Sequence, residues 1–177
     1  QYRCVATGLT TPDATSNSVI LTVNIAPTII GQPSNSTICS GSNTSFSITA
    51  SNATAYQWQV STNSGASWSN ISNTGIYSGV TTNTLSLTGV PASHTSYQYR
   101  CVVSGNCTPD ANSNSATLTV NVAPVRTGQP SNNTICSGNN TSFSITASNT
   151  TGYQWQVSTN NGATWNNISN TGIYSGA

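Results

Sequence analysis

The fold can be read from two segments, Tyr56-Gln57-Trp58-Gln59-Val60-Ser61 and Tyr97-Gln98-Tyr99-Arg100-Cys101-Val102-Val103. In both segments apolar and polar side chains alternate with a period of two, which places Trp58 and Cys101 on the apolar faces. Such alternation predicts half-buried β-strands, and no helical period is visible along the chain. Clusters of Gly, Asn and Ser separate these segments from further short alternating runs. The pattern predicts an all-β fold built as an antiparallel sandwich.

These segments belong to a tandem repeat with a period of 97 residues. Residues 125–177 match residues 28–80 at 42 of 53 positions, and residues 1–27 match residues 98–124 at 19 of 27 positions. Repeats of this length indicate a modular array. We expect 1–27 to be the C-terminal part of one repeat, 28–124 a complete repeat, and 125–177 the N-terminal part of the next. The chain is then a window of a longer array.

The composition narrows the range of functions. Only five of the 177 residues are charged, the net charge is +1, and Asn, Ser and Thr supply 81 residues. So few cations exclude an electrostatic nucleic-acid binder. They equally exclude a polybasic membrane patch, and no apolar run reaches the ~20 residues that cross a bilayer, so direct membrane insertion is not expected.

Catalysis is also disfavoured by the composition. General acid–base chemistry needs titratable side chains, and metal sites need clusters of Cys, His, Asp or Glu at characteristic spacings. Neither is visible in the sequence, which has no Glu, no Lys and a single His. We therefore predict no enzyme, no catalytic residue, no cofactor and no metal ligand.

The unit resembles an immunoglobulin-like domain, with Trp58 on strand C and with Tyr99 and Cys101 on strand F. It is similar to Ig-like repeats of very large secreted surface proteins of Bacteroidota, such as gliding-motility adhesins exported by the type IX system. The resemblance implies tandem Ig-like sandwiches, with residues 1–27 forming strands F and G. It also implies a core that includes Trp58, Tyr99, Phe46 and Ile48. Strand B carries Ile48 where a vertebrate Ig domain has a cysteine.

The pairing of the cysteines stays open. A disulfide is expected in a secreted protein, and the related repeats imply Cys39–Cys107. The alternative is Cys39–Cys101, because both of these residues recur in the array. A standard sandwich would put Cys39 and the turn near Cys107 at opposite ends. That would disfavour their pairing within a unit and would allow a bridge between neighbouring units.

A short motif, Ser61-Thr62-Asn63-Ser64-Gly65-Ala66-Ser67-Trp68, recurs at residues 158–165. It resembles the Asp-box of sialidases, with Asn in place of Asp, and in those proteins the motif is a structural turn. Ser61, Asn63, Gly65 and Trp68 are therefore predicted to form a hairpin turn, in which the amide bonds backbone groups and the glycine takes a positive φ.

Two of the few charged residues are predicted to form an ion pair. Arg100 and Asp110 are equidistant from Gly105, so a hairpin centred on that glycine would place them directly across from each other. A calcium loop over residues 110–114 is disfavoured, because calcium favours several anionic oxygens and only one carboxylate is present.

Ten sequons make glycosylation a candidate modification, although their number is close to chance for this composition. They begin at Asn35, Asn43, Asn52, Asn70, Asn106, Asn132, Asn139, Asn140, Asn149 and Asn167.

Together these features predict a non-enzymatic, extracellular structural or adhesive repeat that forms an extended cell-surface stalk or filament. The proline in each of Ala26-Pro27 and Ala123-Pro124 would restrict a junction between repeats. Low charge removes the repulsion that keeps proteins apart, so self-association along or between chains is expected. Glycans or a cell-surface polysaccharide are the other predicted partners.

Two alternatives are kept. The first is an array of carbohydrate-binding modules attached to a secreted enzyme, with Trp68, Tyr77, Trp165 and Tyr174 as candidate aromatic platforms. The second is a polymer of the donor-strand type, in which the last partial repeat of one chain is completed by the first partial repeat of the next.

Overall fold

The structure is a computed structural model that describes residues 1–176, and it divides the chain into two compact units. The first unit is Gln1–Val120, and the second begins at Asn121. The predicted boundaries at residues 27 and 124 are not tested by this division and remain predictions. Each unit is described by itself.

The strands are short and the only helix among the described residues is one 3-10 turn, Ala92–His94. The first partial repeat contains two strands, and the complete repeat contains eleven. They are β1 (Val5–Ala6), β2 (Ala14–Thr15), β3 (Thr28–Gly31), β4 (Ser36–Cys39), β5 (Thr44–Ser47), β6 (Thr49–Ser51), β7 (Ala55–Ser61), β8 (Ser69–Asn70), β9 (Tyr77–Ser78), β10 (Thr84–Leu87), β11 (Gln98–Ser104), β12 (Ala111–Asn112) and β13 (Ala116–Asn121).

The complete repeat is an Ig-like β-sandwich, which confirms the predicted fold class. The larger sheet has the order β4-β13-β11-β7-β8, with β12 paired to β11, and the smaller sheet has the order β5-β10-β9. Strands β3 and β6 form a separate two-stranded sheet, and β6 follows β5 closely in the chain. In Ig terms β7 is strand C, β11 is strand F and β13 is strand G.

The longest pairing joins β7 to β11 over seven residues. Cys101 lies directly opposite Trp58, and Tyr99 lies opposite Val60. Because successive side chains of a strand point to opposite faces, this register sends one set of side chains into the sandwich and the other set to the outer surface.

The core fills the space between the two sheets. Trp58, Tyr99, Phe46 and Ile48 are all buried there, and the Phe46 and Tyr99 rings stack with centroids 4.9 Å apart. The Trp58 indole Nε1–H donates to the Thr82 carbonyl oxygen at 3.0 Å, so its one polar group is satisfied. The other buried apolar residues are Ile71, Val80, Leu85, Leu87, Val90, Cys101, Val103, Ala116, Leu118 and Val120.

The first partial repeat forms the same hairpin as its complete counterpart. Strands β1 and β2 pair with Val5 opposite Thr15, as β11 and β12 pair with Val102 opposite Asn112. The burial differs. Tyr2, the counterpart of the fully buried Tyr99, is 62% exposed.

The second unit repeats two local pairings of the complete repeat in short strands. They are β14 (Val125–Gly128), β15 (Thr146–Ser148), β16 (Gln156–Val157) and β17 (Asn166–Asn167). The β14–β15 pair carries the same register shift as β3–β6, and β16–β17 follows the register of β7–β8. Phe143, the counterpart of Phe46, is 52% exposed. Hairpin registers therefore form locally, whereas burial needs the whole repeat.

Replacing Ile48 by cysteine tests the packing of β5 and β6 against β11. Strands B and F of an Ig sandwich run parallel, so the Phe46–Tyr99 contact implies that Ile48 faces Cys101 two residues further along. We expect Ile48→Cys to form a disulfide with Cys101 under oxidising conditions. It should stabilise the repeat by about 2–4 kcal/mol relative to the reduced variant, measured by urea unfolding with and without reductant.

The control is Ser47→Cys, which adds a thiol one residue away on the exposed face of β5. This variant should leave Cys101 unlinked. Free thiols at both positions in oxidised Ile48→Cys would show that the two residues do not face each other.

Candidate functional site

The outer surface of the larger sheet carries a cluster of polar side chains that contact one another across three strands. Arg100 lies opposite Gln59 on the neighbouring strand, and Gln59 lies opposite Asn70 on the next. Gln98 is two residues before Arg100 and shares its face, and Trp68 stands beside them. We call Gln59, Asn70, Gln98, Arg100 and Trp68 the polar face.

A chain of contacts fixes Arg100 in this face. Its Nε–H donates to the Gln59 Oε1 at 2.8 Å, and the Gln59 Nε2 donates in turn to the Asn70 Oδ1 at 2.8 Å. The guanidinium carbon Cζ lies 4.4 Å from the centroid of the Trp68 ring, within range of a cation–π interaction. The guanidinium is therefore held in one orientation by one hydrogen bond and one aromatic contact.

The predicted ion pair between Arg100 and Asp110 is not formed. Strand β12 pairs with β11 so that the hairpin is centred on Cys107 and not on Gly105. This register brings Asp110 next to Ser104, whose Oγ–H donates to the Asp110 Oδ2 at 2.9 Å. The predicted centre of the hairpin is wrong by two residues, because β11 continues to Ser104 and the loop that follows it lies further along the chain than a turn centred on Gly105.

Residues 110–114 form the start of the returning strand. The Ser113 hydroxyl is buried, accepts from the Cys101 backbone N–H at 2.9 Å and donates to the Asn114 carbonyl at 2.8 Å. Among residues 1–176 no group of three His, Cys, Asp or Glu side chains could hold a metal ion.

Trp68 is positioned by the predicted turn at residues 61–68. The Asn63 Oδ1 accepts from the Ser67 backbone N–H and from the Ser61 Oγ–H, both at 2.9 Å. The Ser61 Oγ accepts from the Gly65 backbone N–H at 2.9 Å, and Gly65 has a φ of +87°. A side chain at Gly65 would be strained by that φ and would meet Gln98 and Trp68.

The same turn forms in the second unit. Asn160 accepts from the Thr164 backbone N–H at 2.9 Å, and Gly162 donates to the Ser158 Oγ at 2.8 Å. Trp165 is 59% exposed, whereas Trp68 is half-buried. The turn is thus a local structure, and the cover over its tryptophan comes from β11 of a complete repeat.

The candidate aromatic platforms are only partly available. Trp68 has one side occupied by Arg100, and Tyr77 is half-buried with its hydroxyl 3.3 Å from that of Tyr99. Trp165 and Tyr174, in the partial repeat, are exposed. In the complete repeat Trp68 is the candidate platform that stays partly exposed outside the core, and one side of its ring contacts Arg100.

All five cysteines are free thiols in the structure. On β4 the side chains alternate, so Ile38 packs against the core and Cys39 is exposed on the other side. Cys101 is buried opposite Trp58. The predicted Cys39–Cys101 disulfide is therefore not formed, because the two side chains lie on different sides of the sheet surface.

Cys39 and Cys107 lie at opposite ends of the sandwich. The segment just after Cys39 bonds to Val90, since the Gly41 N–H donates to the Val90 carbonyl. Cys107 is in the β11–β12 turn, close to Gly105, which approaches Asn52 and Pro27. The Cys39–Cys107 disulfide is likewise not formed within the repeat, and pairing between units stays a prediction.

Burial controls the ionisation of two core groups. Desolvation raises the pKa of the Cys101 thiol from 9.0 to about 11, with a smaller opposing effect of a backbone hydrogen bond at Gln57. Burial also raises the pKa of Tyr99 well above its usual range, and the hydrogen bond to Tyr77 acts in the same direction. Neither group is suited to act as a nucleophile or base near neutral pH.

All ten sequon asparagines are exposed. Several of them already bond to the protein: Asn35 accepts from the Thr117 backbone N–H, Asn43 accepts from the Gly89 backbone N–H, and Asn70 belongs to the polar face. Asn106, at the tip of the β11–β12 turn, makes no such bond among the described residues. Glycosylation at these positions stays a prediction.

The sequence does not predict the polar face as a site. Alternation places Gln59 and Arg100 on the polar faces of their strands. It gives neither the register that places them opposite each other nor the turn geometry that brings Trp68 over Arg100.

Comparison with known proteins identifies the repeat. A family model described as "Domain of unknown function (DUF8696)" matches residues 30–122. No curated protein matches the chain.

Solved structures similar to the chain include tandem Ig domains. The N-terminal Ig1-2 module of the Drosophila receptor protein tyrosine phosphatase DLAR is 22% identical, with 59% of this chain and 57% of that chain covered and a TM-score of 0.44. The immunoglobulin domains 1-5 of Sidekick-1 are 19% identical, with 68% of this chain and 25% of that chain covered and a TM-score of 0.47. The chain thus spans little more than half of the first and a quarter of the second.

The role of Asn63 in the turn can be tested by Asn63→Ala. The change removes the acceptor for the Ser67 N–H and the Ser61 hydroxyl, and it should lower the free energy of unfolding of the complete repeat by about 1–2 kcal/mol. Urea unfolding followed by tryptophan fluorescence measures the loss. Asn160→Ala removes the same bonds from the turn of the partial repeat, so it is the matched control and should leave this transition unchanged.

The buried thiol should make the protein less stable in alkali. The pKa of Cys101 is higher in the folded protein than in the unfolded chain. The free energy that the protonated thiol contributes to folding is therefore fully present below pH 9 and is lost as the pH rises towards about 11. Over that range we expect the free energy of unfolding to fall by about 2–3 kcal/mol from this group, with Tyr99 adding in the same direction.

Cys101→Ala is the control for this pH effect, because it removes the titrating group from the core. Urea unfolding at pH 8 and at pH 11 should show a smaller loss of unfolding free energy for the variant than for the wild type, because the pKa of Cys101 is raised to about 11. Equal losses in both proteins would show that Cys101 is not the responsible group.

Proposed function

Since the chain belongs to the family described as "Domain of unknown function (DUF8696)", we propose a function from the structure of its repeat: a non-enzymatic, extracellular stalk with an adhesive surface. The single observation that carries the proposal is the way each repeat holds the linker that precedes it. A stalk needs junctions that transmit orientation from one unit to the next.

In the complete repeat the preceding linker is fixed at the end of the sandwich. The Asn52 Nδ2 donates to the Ala26 carbonyl at 3.4 Å, and Pro27 is buried against the β11–β12 turn. A Cβ at Gly105 would lie 2.6 Å from the Asn52 carbonyl oxygen and 2.9 Å from the Pro27 Cδ, so the packing there has no spare room. Proline adds its own restriction on φ.

The hydrogen bond to the linker recurs at the next junction, where Pro124, the counterpart of Pro27, is exposed. The Asn149 Nδ2 donates to the Ala123 carbonyl at 3.5 Å, and Asn149 and Asn52 share a left-handed backbone conformation, with φ values of 57° and 55°. Both hydrogen bonds are long and weak singly. Their recurrence at a period of 97 residues supports junctions in which each repeat holds the linker that precedes it.

The surface suits an extracellular adhesive. It is nearly uncharged and rich in hydroxyl and amide groups, which bond to sugars and to copies of the same surface without electrostatic repulsion. We include self-association along or between chains and binding to cell-surface polysaccharide in the proposal. The resemblance to secreted Bacteroidota surface proteins supports an extracellular location. Within residues 1–176, no helix has the length and apolar character of a membrane span.

Electron microscopy of the native cell-surface material tests the stalk. We expect thin rods with an axial repeat of roughly 40 Å per unit, the length of one Ig-sized domain. Globular particles without such a repeat, or location of the protein inside the cell by immunogold labelling, would contradict the proposal.

The junction itself is tested in the 177-residue chain by Gly105→Ala. The added methyl group should displace Pro27, so that a protease of broad specificity cleaves the segment around Ala26 and Pro27 several-fold faster. Gly8→Ala is the matched control, because Gly8 occupies the corresponding position of the first partial repeat and a Cβ there meets only ordinary contacts. Equal cleavage of wild type and both variants would show that the linker is not held.

A further inference from the structure

We propose that the polar face binds the carboxylate of an acidic polysaccharide, a uronic acid polymer, with Arg100 as the anion contact. This deepens the adhesive part of the proposed function and rests on it, by naming the class of ligand. The inference follows from the unpaired, oriented state of Arg100 that the structure reveals and that the expected ion pair would have excluded.

Arg100 has no carboxylate partner in its repeat. The complete repeat contains one carboxylate, Asp110, which bonds to Ser104. Ser104 is four residues along β11 from Arg100, a separation of about 13 Å at the usual strand rise. The charge of Arg100 is therefore not neutralised by the protein.

The guanidinium is nevertheless held in place. The Gln59 Oε1 accepts the Nε–H, and Trp68 covers one side of the guanidinium. Among the described residues no hydrogen bond involves the terminal Nη groups. A guanidinium in this state presents two parallel N–H donors, which match the two oxygens of a carboxylate. Because its orientation is already fixed, less side-chain freedom is lost on binding.

The surroundings of Arg100 suit a sugar. Gln98 is half-buried on the same face, and its amide makes no hydrogen bond among the described residues. Asn70 accepts from Gln59 through its Oδ1 and retains its Nδ2 donors. The part of Trp68 that is not covered by Arg100 offers an apolar surface for C–H groups of a pyranose ring. Sugar hydroxyls and one carboxylate would together engage Gln98, Asn70, Trp68 and Arg100, while Gln59 holds Arg100 in place.

Arg100 and Asp110 are the only charged residues of the complete repeat, so an anionic polymer would be attracted by Arg100 and would meet little repulsion elsewhere. A neutral polymer would not gain this attraction. A single exposed Arg–carboxylate pair is weak. The arginine recurs at the corresponding position of the preceding repeat, as Arg3, so a long array would present one such site every 97 residues. A polymer with a carboxylate on every sugar could engage several sites at once and gain affinity by avidity.

The test is a titration of the ¹⁵N-labelled 177-residue chain with tetragalacturonic acid, followed by NMR. We expect the Arg100 Nε–H and the Trp68 Nε1–H resonances to shift with one dissociation constant. Arg100→Gln should weaken binding at least tenfold. Arg100→Lys, which keeps the charge and loses the planar donor pair, should weaken it nearly as much.

Arg3→Gln is the matched control. It removes the same charge, but no residue of this chain stands to Arg3 as Gln59 and Trp68 stand to Arg100. Binding should be unchanged in this variant. If Arg3→Gln and Arg100→Gln lowered the affinity equally, the effect would come from net charge alone, and the proposed site at Arg100 would be wrong. Trp68→Phe, which keeps an aromatic ring, gives a second readout if Arg100 variants fold poorly by circular dichroism.

Two further ligands decide the class. The fully methyl-esterified tetragalacturonate should not bind, and equal binding would overturn the role of the carboxylate. Hexaglutamate should bind at least tenfold more weakly, and equal binding would replace the polysaccharide by an acidic peptide. Failure of all ligands would overturn this inference and leave the stalk intact, because the stalk is judged by microscopy and linker cleavage.

Discussion

The pairing of β7 with β11 is the constraint on which both the core and the candidate site depend. Its register puts Cys101 opposite Trp58 on the inner face and Arg100 opposite Gln59 on the outer face. A slip of β11 by one residue would send Arg100 into the core, and a slip of β7 would send Trp58 into solvent, and either change would cost several kcal/mol. The pairing of Arg100 with Gln59 is thus fixed by the same hydrogen bonds that fix the hydrophobic core.

The incomplete repeats separate local from non-local causes of this structure. The β1–β2 hairpin and the Asn160 turn form with the bonds of their complete counterparts, although their apolar side chains stay exposed. Short-range side-chain-to-backbone bonds and turn residues are sufficient for these elements. The contact between Arg100 and Trp68 is different, because it joins a turn to a strand about thirty residues away and exists only where both are paired through β7.

The unusual composition gives the few charged residues particular weight. In most proteins an arginine on a sheet surface has several carboxylates within reach, and its pairing says little about function. Here the complete repeat has one carboxylate, and the hairpin register takes it to Ser104. Arg100 instead contacts the Gln59 amide and the Trp68 ring, which orient the guanidinium but do not neutralise its charge. The linker contacts of Asn52 and Asn149 add a mechanical feature, since each repeat fixes the segment by which it is joined to the array.

The sequence by itself determined the all-β class, the period of 97 residues, the inward side chains Trp58, Tyr99, Phe46 and Ile48, and the turn at residues 61–68. These follow from alternation, internal repetition and turn chemistry, which are properties of neighbouring residues. Only the tertiary structure decided that the β11–β12 hairpin is centred on Cys107, that Cys39 and Cys101 lie on different sides, and that Arg100 meets Gln59 and Trp68. Each of these features depends on strand register or on the packing of segments that are distant in the sequence. A shift of two residues in register keeps the alternation of apolar and polar side chains, so that pattern cannot reveal it, but it changes the cross-strand partner of every residue.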